Sequence, residues 1–368
     1  MSSPRDDARE VCEQLKRWLV EDAYPRWAAV GVDPADGFFE KVGMDGRPVD
    51  APRRIRVASR QVYSFAQAGR LGWRGDWRGI VEHGLEALAR YRRSDGLYAQ
   101  LMSADGEILD DTPAPYEQAF VMLALLAAQE ALGRDLEDQA ALVREALKAR
   151  LGRADGGFYE DVSKAGPLRA NPHMHLFETA QAWTAVGRDA GWARMASDIG
   201  RLALERMIEP GTGALGELFD TDWRPLEEAD VEPGHQFEWG WLLLRFGAAE
   251  AALRLIEIGE RHGVDPARDV AFNALSADLR PRDLSARLWP QCERIKAGAA
   301  AAMATGEDRY WTMAADGGRG LARYLQTGVP GLWCDRMTPD GSMIDEAAPA
   351  SSFYHIVGGI FDLDRALA

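Results

Sequence analysis

The chain has 368 residues, 46% of them hydrophobic and 27% charged, with a formal net charge of −15. That acidity excludes a nucleic-acid backbone or an anionic membrane as the natural partner, since both recruit a basic face, and no run of about eighteen apolar residues exists to span a bilayer. Cys12, Cys292 and Cys334 are too few and too scattered for a disulfide framework or a zinc knuckle, and the opening MSSPRDDAREVCEQ resembles neither a signal nor a transit peptide, so a reducing cytoplasm is expected.

In chain order, REVCEQLKRWLVEDAYPRW reads as an amphipathic helix and is followed by the loop DGFFEKVGMDGRP. RRIRVASRQVYSFAQAGRL and WRGIVEHGLEALARYRR then lead to DGLYAQLMSADGEIL, and YEQAFVMLALLAAQEAL and EDQAALVREALKARL to GGFYEDVSKAGPL. HLFETAQAWTAVGRDA and WARMASDIGRLALERMI precede GALGELFDTDWRPL, and FEWGWLLLRFG and AEAALRLIEIGERHG precede VAFNALSADLRPR. LWPQCERIKAGAAAAMATG, RYWTMAADGGRGLARYLQ, the loop PGLWCDRMTPDGSMI and a last helix SFYHIVGGIFDLDRAL close the chain. Loop and helix pair recur roughly every 60 residues, which is the signature of a repeat architecture.

The helix after each loop is more apolar than its partner, FVMLALLAA against ALVREALKAR for instance. An inner ring of buried helices inside an outer amphipathic ring produces that contrast. The expected fold is therefore all-α: an (α/α)6 barrel of six helical hairpins, with short β-hairpin loops at one end, in one domain over residues 1–368.

Reactive side chains collect where each loop hands over to an inner helix. They are Arg60 and Tyr63; Tyr116 and Glu117; Asn171, His173, His175 and Glu178; His235, Glu238 and Trp241; Trp289, Gln291, Glu293 and Arg294; and Ser351, Ser352, Tyr354 and His355. Helix starts attract polar residues as caps and dipole partners, which accounts for Asn171, Ser351 or Glu117 but not for His, Trp and Arg. In a barrel these positions converge on one mouth. His83 and His262 fall on outer helices and are expected to face solvent.

The H-x-H of NPHMHLFE invites a metal, but residues i and i+2 on a helix point about 200° apart, so His173 and His175 cannot share an ion there. The pairs His175/Glu178 and His235/Glu238 do share a face, in the reverse order of the Glu-x-x-His of di-metal bundles; no metal is expected. Gly211–Gly216 spells G-x-G-x-x-G but follows a helix and enters an extended loop, so it is no dinucleotide site. Glycoside hydrolysis needs two opposed carboxylates and has less use for several histidines. Proton transfer beside a sugar carbonyl suits them better, because imidazole titrates near neutral pH. Whether the helix N-terminus or Glu238 governs the charge of His235 is open at this level.

ASRQVYSFA, NPHMHLFETAQAW, PGHQFEWGWLL, LWPQCERIKA and PASSFYHI resemble, in order along the chain, the signature stretches of the N-acylglucosamine 2-epimerase family. Members of that family are (α/α)6 barrels and include cellobiose 2-epimerases and mannose isomerases. The resemblance implies that His235 and His355 are an acid/base pair, and that Arg60 and His175 stabilise a cis-enediol(ate). It implies that Asn171, Glu238 and Glu293 bind hydroxyls, with Trp241 and Trp289 as a sugar platform and Tyr116 at the same mouth. His173 is left to packing or capping. The texture of PGHQFEW, WPQCER and PASSFYHI is more similar to the mannose-isomerase type. The implied activity is aldose–ketose isomerisation of D-mannose or a close relative to D-fructose, with sugar 2-epimerisation as the alternative. A monosaccharide is then the partner and no cofactor is required; the chain is expected to be a monomer or homodimer.

Overall fold

The computed structural model describes residues 3–226 and 229–368. Its helices are α1 Pro4–Trp18, α2 Tyr24–Val30, α3 Ile55–Leu71, α4 Trp77–Ala89, α5 Pro115–Leu132, α6 Glu137–Leu151, α7 Ala170–Val186, α8 Gly191–Leu202, α9 Pro233–Phe246, α10 Ala249–Gly263, α11 Leu288–Thr305, α12 Asp308–Tyr324 and α13 Ser351–Leu367. Ser3 opens α1 with a capping box to Asp6. A π-helical turn, Leu19–Ala23, links α1 to α2 just ahead of Pro25, whose missing N–H interrupts the α register. α7 starts at Ala170, so Asn171 and Pro172 lie inside its first turn, where proline loses no intrahelical bond.

The more apolar helices pack on one another in a circuit. α3 touches α5, α5 touches α7, α7 touches α9, α9 touches α11, α11 touches α13, and α13 returns to α3. α4, α6, α8, α10 and α12 back onto α3, α5, α7, α9 and α11, and α1 covers α12 and α13. Burial follows the sequence contrast: every residue from Ala119 to Ala128 of α5 is buried, whereas α6 hides the stripe Ala140, Val143, Leu147 and Leu151. Gly298 permits a close approach of α11 to α12, since a Cβ there would lie 2.8 Å from Ala314 N. His83 and His262 are half-buried rather than solvent-facing, and His83 Nε2 bonds the Asp33 carbonyl at 2.8 Å.

The loops form two- and three-stranded antiparallel ribbons, and several join neighbouring repeats. Arg53–Arg54 pairs with Leu101–Met102, Leu168–Arg169 with Leu218–Phe219, and Ala286–Arg287 with Arg336–Met337. Ala348–Pro349 pairs with Lys41–Val42, joining the last loop to the first.

A repeated device fixes the loops to the helices. The fourth residues of α5, α9 and α11 are Gln118, Gln236 and Gln291, and each exchanges two hydrogen bonds with one loop residue: Tyr98, Leu215 and Ala271 respectively. The fourth residue of α7 is His173. Replacing Gln291 by Leu leaves the buried N–H and C=O of Ala271 without partners, at about 1–3 kcal/mol each. A matching loss in unfolding free energy is expected by urea denaturation.

Candidate active site

Residues from all six circuit helices meet at their N-terminal ends. Arg60, Phe120, His175, Glu238 and Glu293 are each the sixth residue of their helix, and His355 is the fifth of α13. Arg56, Tyr116, Asn171 and Trp289 lie one turn nearer the loops, with His235 between the two levels. The equal depth follows from helices of one rise per residue starting from one ribbon level.

Trp289 lies between two histidines, its ring centroid 5.1 Å from that of His235 and 5.7 Å from that of His355. Its indole rests against Gly234, where a Cβ would come within 2.4 Å of the ring. Arg60 donates to the Tyr116 hydroxyl at 2.6 Å, and its guanidinium lies over Phe120 at 4.2 Å and Tyr354 at 5.3 Å. Phe120 also packs on the His175 ring, 4.5 Å away. Arg56 pairs with Glu117, which is almost wholly buried.

Each histidine faces a carboxylate, with different results. His235 Nδ1 donates to Glu217 Oε2 at 2.9 Å, and Glu232 Oε2 lies 3.8 Å away. Burial alone would strip His235 of its proton; Glu217 and Glu232 outweigh it and raise the pKa to about 10. His355 Nδ1 donates to Glu293 Oε1 at 2.7 Å. Burial, then the nearby Arg60 and Lys296 charges, push His355 well below its usual range, so it is neutral with Nε2 free to accept. His175 donates from Nδ1 to Glu178 Oε2 at 3.3 Å, and burial lowers it to about 4. Burial and the neighbouring Glu293 carboxylate raise Glu238 well above the carboxylate range, which makes it a neutral acid.

Arg60 Nε, Asn171 Oδ1 and Glu238 Oε1 are buried here without a hydrogen-bond partner among the described residues, Glu238 Oε1 lying 3.8 Å from His175 Nδ1. Buried polar groups are ordinarily satisfied, so a donor, an acceptor and a carboxylic acid left open around one space mark a polyhydroxylated ligand. The groups His175/Glu178/Glu238, Glu217/Glu232/His235 and Glu238/Glu293/His355 each bring ligand-type atoms within 4.8 Å of one another, the spacing a cation would need. In each group the histidine Nδ1 already faces a carboxylate oxygen.

The structure brings together Arg60, Tyr116, His175, Glu238, Glu293, His235, Trp289 and His355, with Asn171 at the same rim. Trp241 is not among them. As the ninth residue of α9 it lies about 4.5 Å deeper than Glu238, with Tyr63, Glu178 and Lys296, the ninth residues of α3, α7 and α11. It lines a cavity of about 240 Å³ that opens toward the helices' C-terminal ends. His173 stands in the glutamine position: Nε2 accepts from Phe158 N at 2.9 Å and Nδ1 donates to Arg169 O at 2.7 Å.

Glu217 was not among the residues singled out from the sequence. Glu40, Glu160, Glu217 and Asp335 fall at matching points of their loops; Glu40 and Glu160 accept from the N–H groups of Arg54 and Arg169, each just before its helix. Aligning the six loops on one another exposes that acidic position.

A sequence profile described as N-acylglucosamine 2-epimerase (GlcNAc 2-epimerase) matches residues 37–359. A Rhizobium meliloti protein named mannose-6-phosphate isomerase is 43% identical over 374 residues, which cover 96% of this chain and 97% of that protein. The D-mannose isomerase of Thermobifida fusca is 28% identical over 295 residues, 71% of each chain. Among solved structures, a D-mannose isomerase superposes with a TM-score of 0.87 at 20% identity over 98% of both chains. The cellobiose 2-epimerase of Spirochaeta thermophila gives 0.85 at 20% identity, covering 100% of this chain and 99% of that one. These two likenesses concern the fold.

His173→Gln installs the residue used in three other repeats, and is expected to keep the melting temperature and turnover near wild type. His175→Gln should keep the fold and cut turnover by about tenfold or more, by analogy with the loss of one preorganised group. Calorimetry with steady-state assays checks both.

Proposed function

We propose that this chain, which belongs to the N-acylglucosamine 2-epimerase family, is an aldose–ketose isomerase that interconverts D-mannose, or a close relative, with D-fructose. The observation that carries this reading is the pair of histidines beside Trp289, held in opposite protonation states. Environments that drive two titratable groups apart mark an acid and a base. The framework is a single-domain (α/α)6 barrel over residues 1–368. The cyclic packing of the inner helices and the pairing of the last loop with the first support it.

The sugar lies on Trp289 with its C1–C2 edge between the histidines. His355 Nε2 takes the proton from C2 as the C1 carbonyl oxygen receives one from His235, giving a cis-enediol. Arg60 donates to the two oxygens as charge builds on them, and His175 accepts from a hydroxyl at Nε2. His235 then removes the proton from the C2 oxygen while His355 returns its proton to C1, which yields the ketose and restores both residues. Asn171, Glu238, Glu293 and Tyr116 hold the remaining hydroxyls or the groups that bear on them.

The free sugar is the proposed substrate. Arg54, Arg169 and Arg287, each just before an inner helix, face Glu40, Glu160 and Asp335 at 2.5, 4.0 and 3.5 Å, so their charge is already matched. A 2-epimerase reading keeps the same residues and returns the proton to the opposite face of C2. The likeness to cellobiose 2-epimerases in fold keeps it as the alternative.

His235→Ala and His355→Ala are each expected to abolish turnover of D-mannose while leaving the melting curve intact; activity in either variant removes the assignment. Product NMR in deuterated water decides the reaction: fructose identifies the isomerase, glucose alone the epimerase. Mannose 6-phosphate, assayed in parallel, should give a lower kcat/KM.

The pH profile has a definite sign. His355 must be neutral, so activity falls only on the acid side of its depressed pKa; His235 must be protonated, so activity falls as pH rises through about 10. Glu217→Gln removes the carboxylate nearest His235 and should move the alkaline limb to lower pH, read from kcat between pH 5 and 11.

A further inference from the structure

Under the histidines lies a charged layer that the reaction above does not use. Lys296 is buried at 3% side-chain exposure, and its Nζ is 2.7 Å from Glu293 Oε2. Glu293 itself is fully buried and accepts from His355 Nδ1 through its other oxygen. The Trp241 ring centroid lies 3.8 Å from the same Nζ, well inside the range of a cation–π contact. His355, Glu293, Lys296 and Trp241 thus form one chain of direct contacts from the mouth to the cavity wall.

Taking this proton-transfer reading as the basis, we propose that Lys296 and Trp241 are positioning residues for His355, Lys296 by keeping Glu293 ionised and Trp241 by holding the ammonium against it. A carboxyl with no exposure favours its neutral form, and Glu178 nearby adds repulsion. The ammonium opposes both. An ionised Glu293 can only accept, so His355 must carry its proton on Nδ1 and leave Nε2 vacant for the C2 proton. With Lys296 discharged, Glu293 takes up a proton. It then donates to Nδ1, and the ring proton sits on Nε2, the tautomer that cannot act as base.

Trp241 is well placed for this and for nothing at the mouth. Its depth is that of Lys296, and both line the cavity on the far side of the histidines. The groups facing this layer are Arg60 and Tyr63 from α3; His175 and Glu178 from α7; His235, Glu238 and Arg245 from α9; and Tyr354 and Asp362 from α13. Lys296 is the cation in direct contact with Glu293; Glu178 and Asp362 also favour its charged form.

The test is the acid limb of kcat in Lys296→Met, Lys296→Arg, Trp241→Leu and Trp241→Phe. Loss of a contact ion typically moves a carboxyl by about one to three pH units. Lys296→Met should therefore move the acid limb of kcat up by about one unit or more, with KM within about twofold and activity partly recovered at alkaline pH. Lys296→Arg, which keeps the charge, should restore most of the wild-type profile. Trp241→Leu should shift the limb the same way by less, and Trp241→Phe should stay near wild type. If Lys296→Met does not fold, Trp241→Leu carries the test alone. An unmoved acid limb overturns the proposal, and so does a Trp241→Leu variant whose defect lies in KM, as a sugar platform requires. Either result leaves dependence on His235 and His355 intact, so it is distinguishable from failure of the reaction assignment, in which those two variants remain active.

Discussion

The return of α13 to α3 is the contact on which the site depends. Arg60 and His355 are 295 positions apart in the numbering, yet Arg60 reaches the Ser351 carbonyl and Gln61 donates to the Ala350 carbonyl at 2.7 Å. The Ala348–Pro349 ribbon on Lys41–Val42 makes the same join at the loop level. Without this closure α13 would pack only on α11 and α1, and the side chains at its start would be open on the α3 side. With it, six helix starts look inward at one space, and the charged side chains there are buried. The closing contacts are backbone-directed hydrogen bonds rather than ion pairs, which suits a junction beside titrating groups.

Confinement then controls the electrostatics. Six helix N-termini point at one region, and each carries partial positive charge, so the region favours anions and disfavours imidazolium. A developing enediolate benefits from this; a protonated histidine does not. His235 retains its proton because two carboxylates face it, Glu217 at 2.9 Å and Glu232 at 3.8 Å, against the pull of burial. The question that the sequence left between the helix terminus and Glu238 is thus decided chiefly by two other carboxylates, Glu217 and Glu232.

The fold was legible in outline because a 3.6-residue apolar period survives in most of the outer helices and the turn-rich loops recur roughly every 60 residues. The inner and outer rings could be told apart because burial on all sides removes amphipathicity, as in α5. The ribbon pairings were not legible, since strands of two or three residues carry no period to read. Glu217 escaped attention because it lies 18 positions before His235 and meets it only when the loop folds over α9. Trp241 was grouped with Glu238 because they are three residues apart, but three residues on a helix are a full layer in depth. His173 and His175 show the converse: two positions apart in sequence, they point to opposite sides of α7, one to a loop and one to the ring's interior.

Those two histidines also show how a repeat can be used to assign roles within this chain. His173 occupies a position that three other helices fill with glutamine, and its two ring nitrogens act as the amide does, one accepting from a loop N–H and one donating to a carbonyl. A neutral imidazole can do both, as the glutamine amide does, and complete burial lowers its pKa to about 4 and keeps it neutral. His175 has no such counterpart, for the positions at its depth hold Arg60, Phe120, Glu238, Glu293 and His355. Where the repeats agree, the side chains hold loops to helices; where they disagree, around the ring at one depth, the helices contribute cationic, aromatic, imidazole and carboxyl groups to a single space. The disagreement is thus what an asymmetric ligand requires of a nearly sixfold frame.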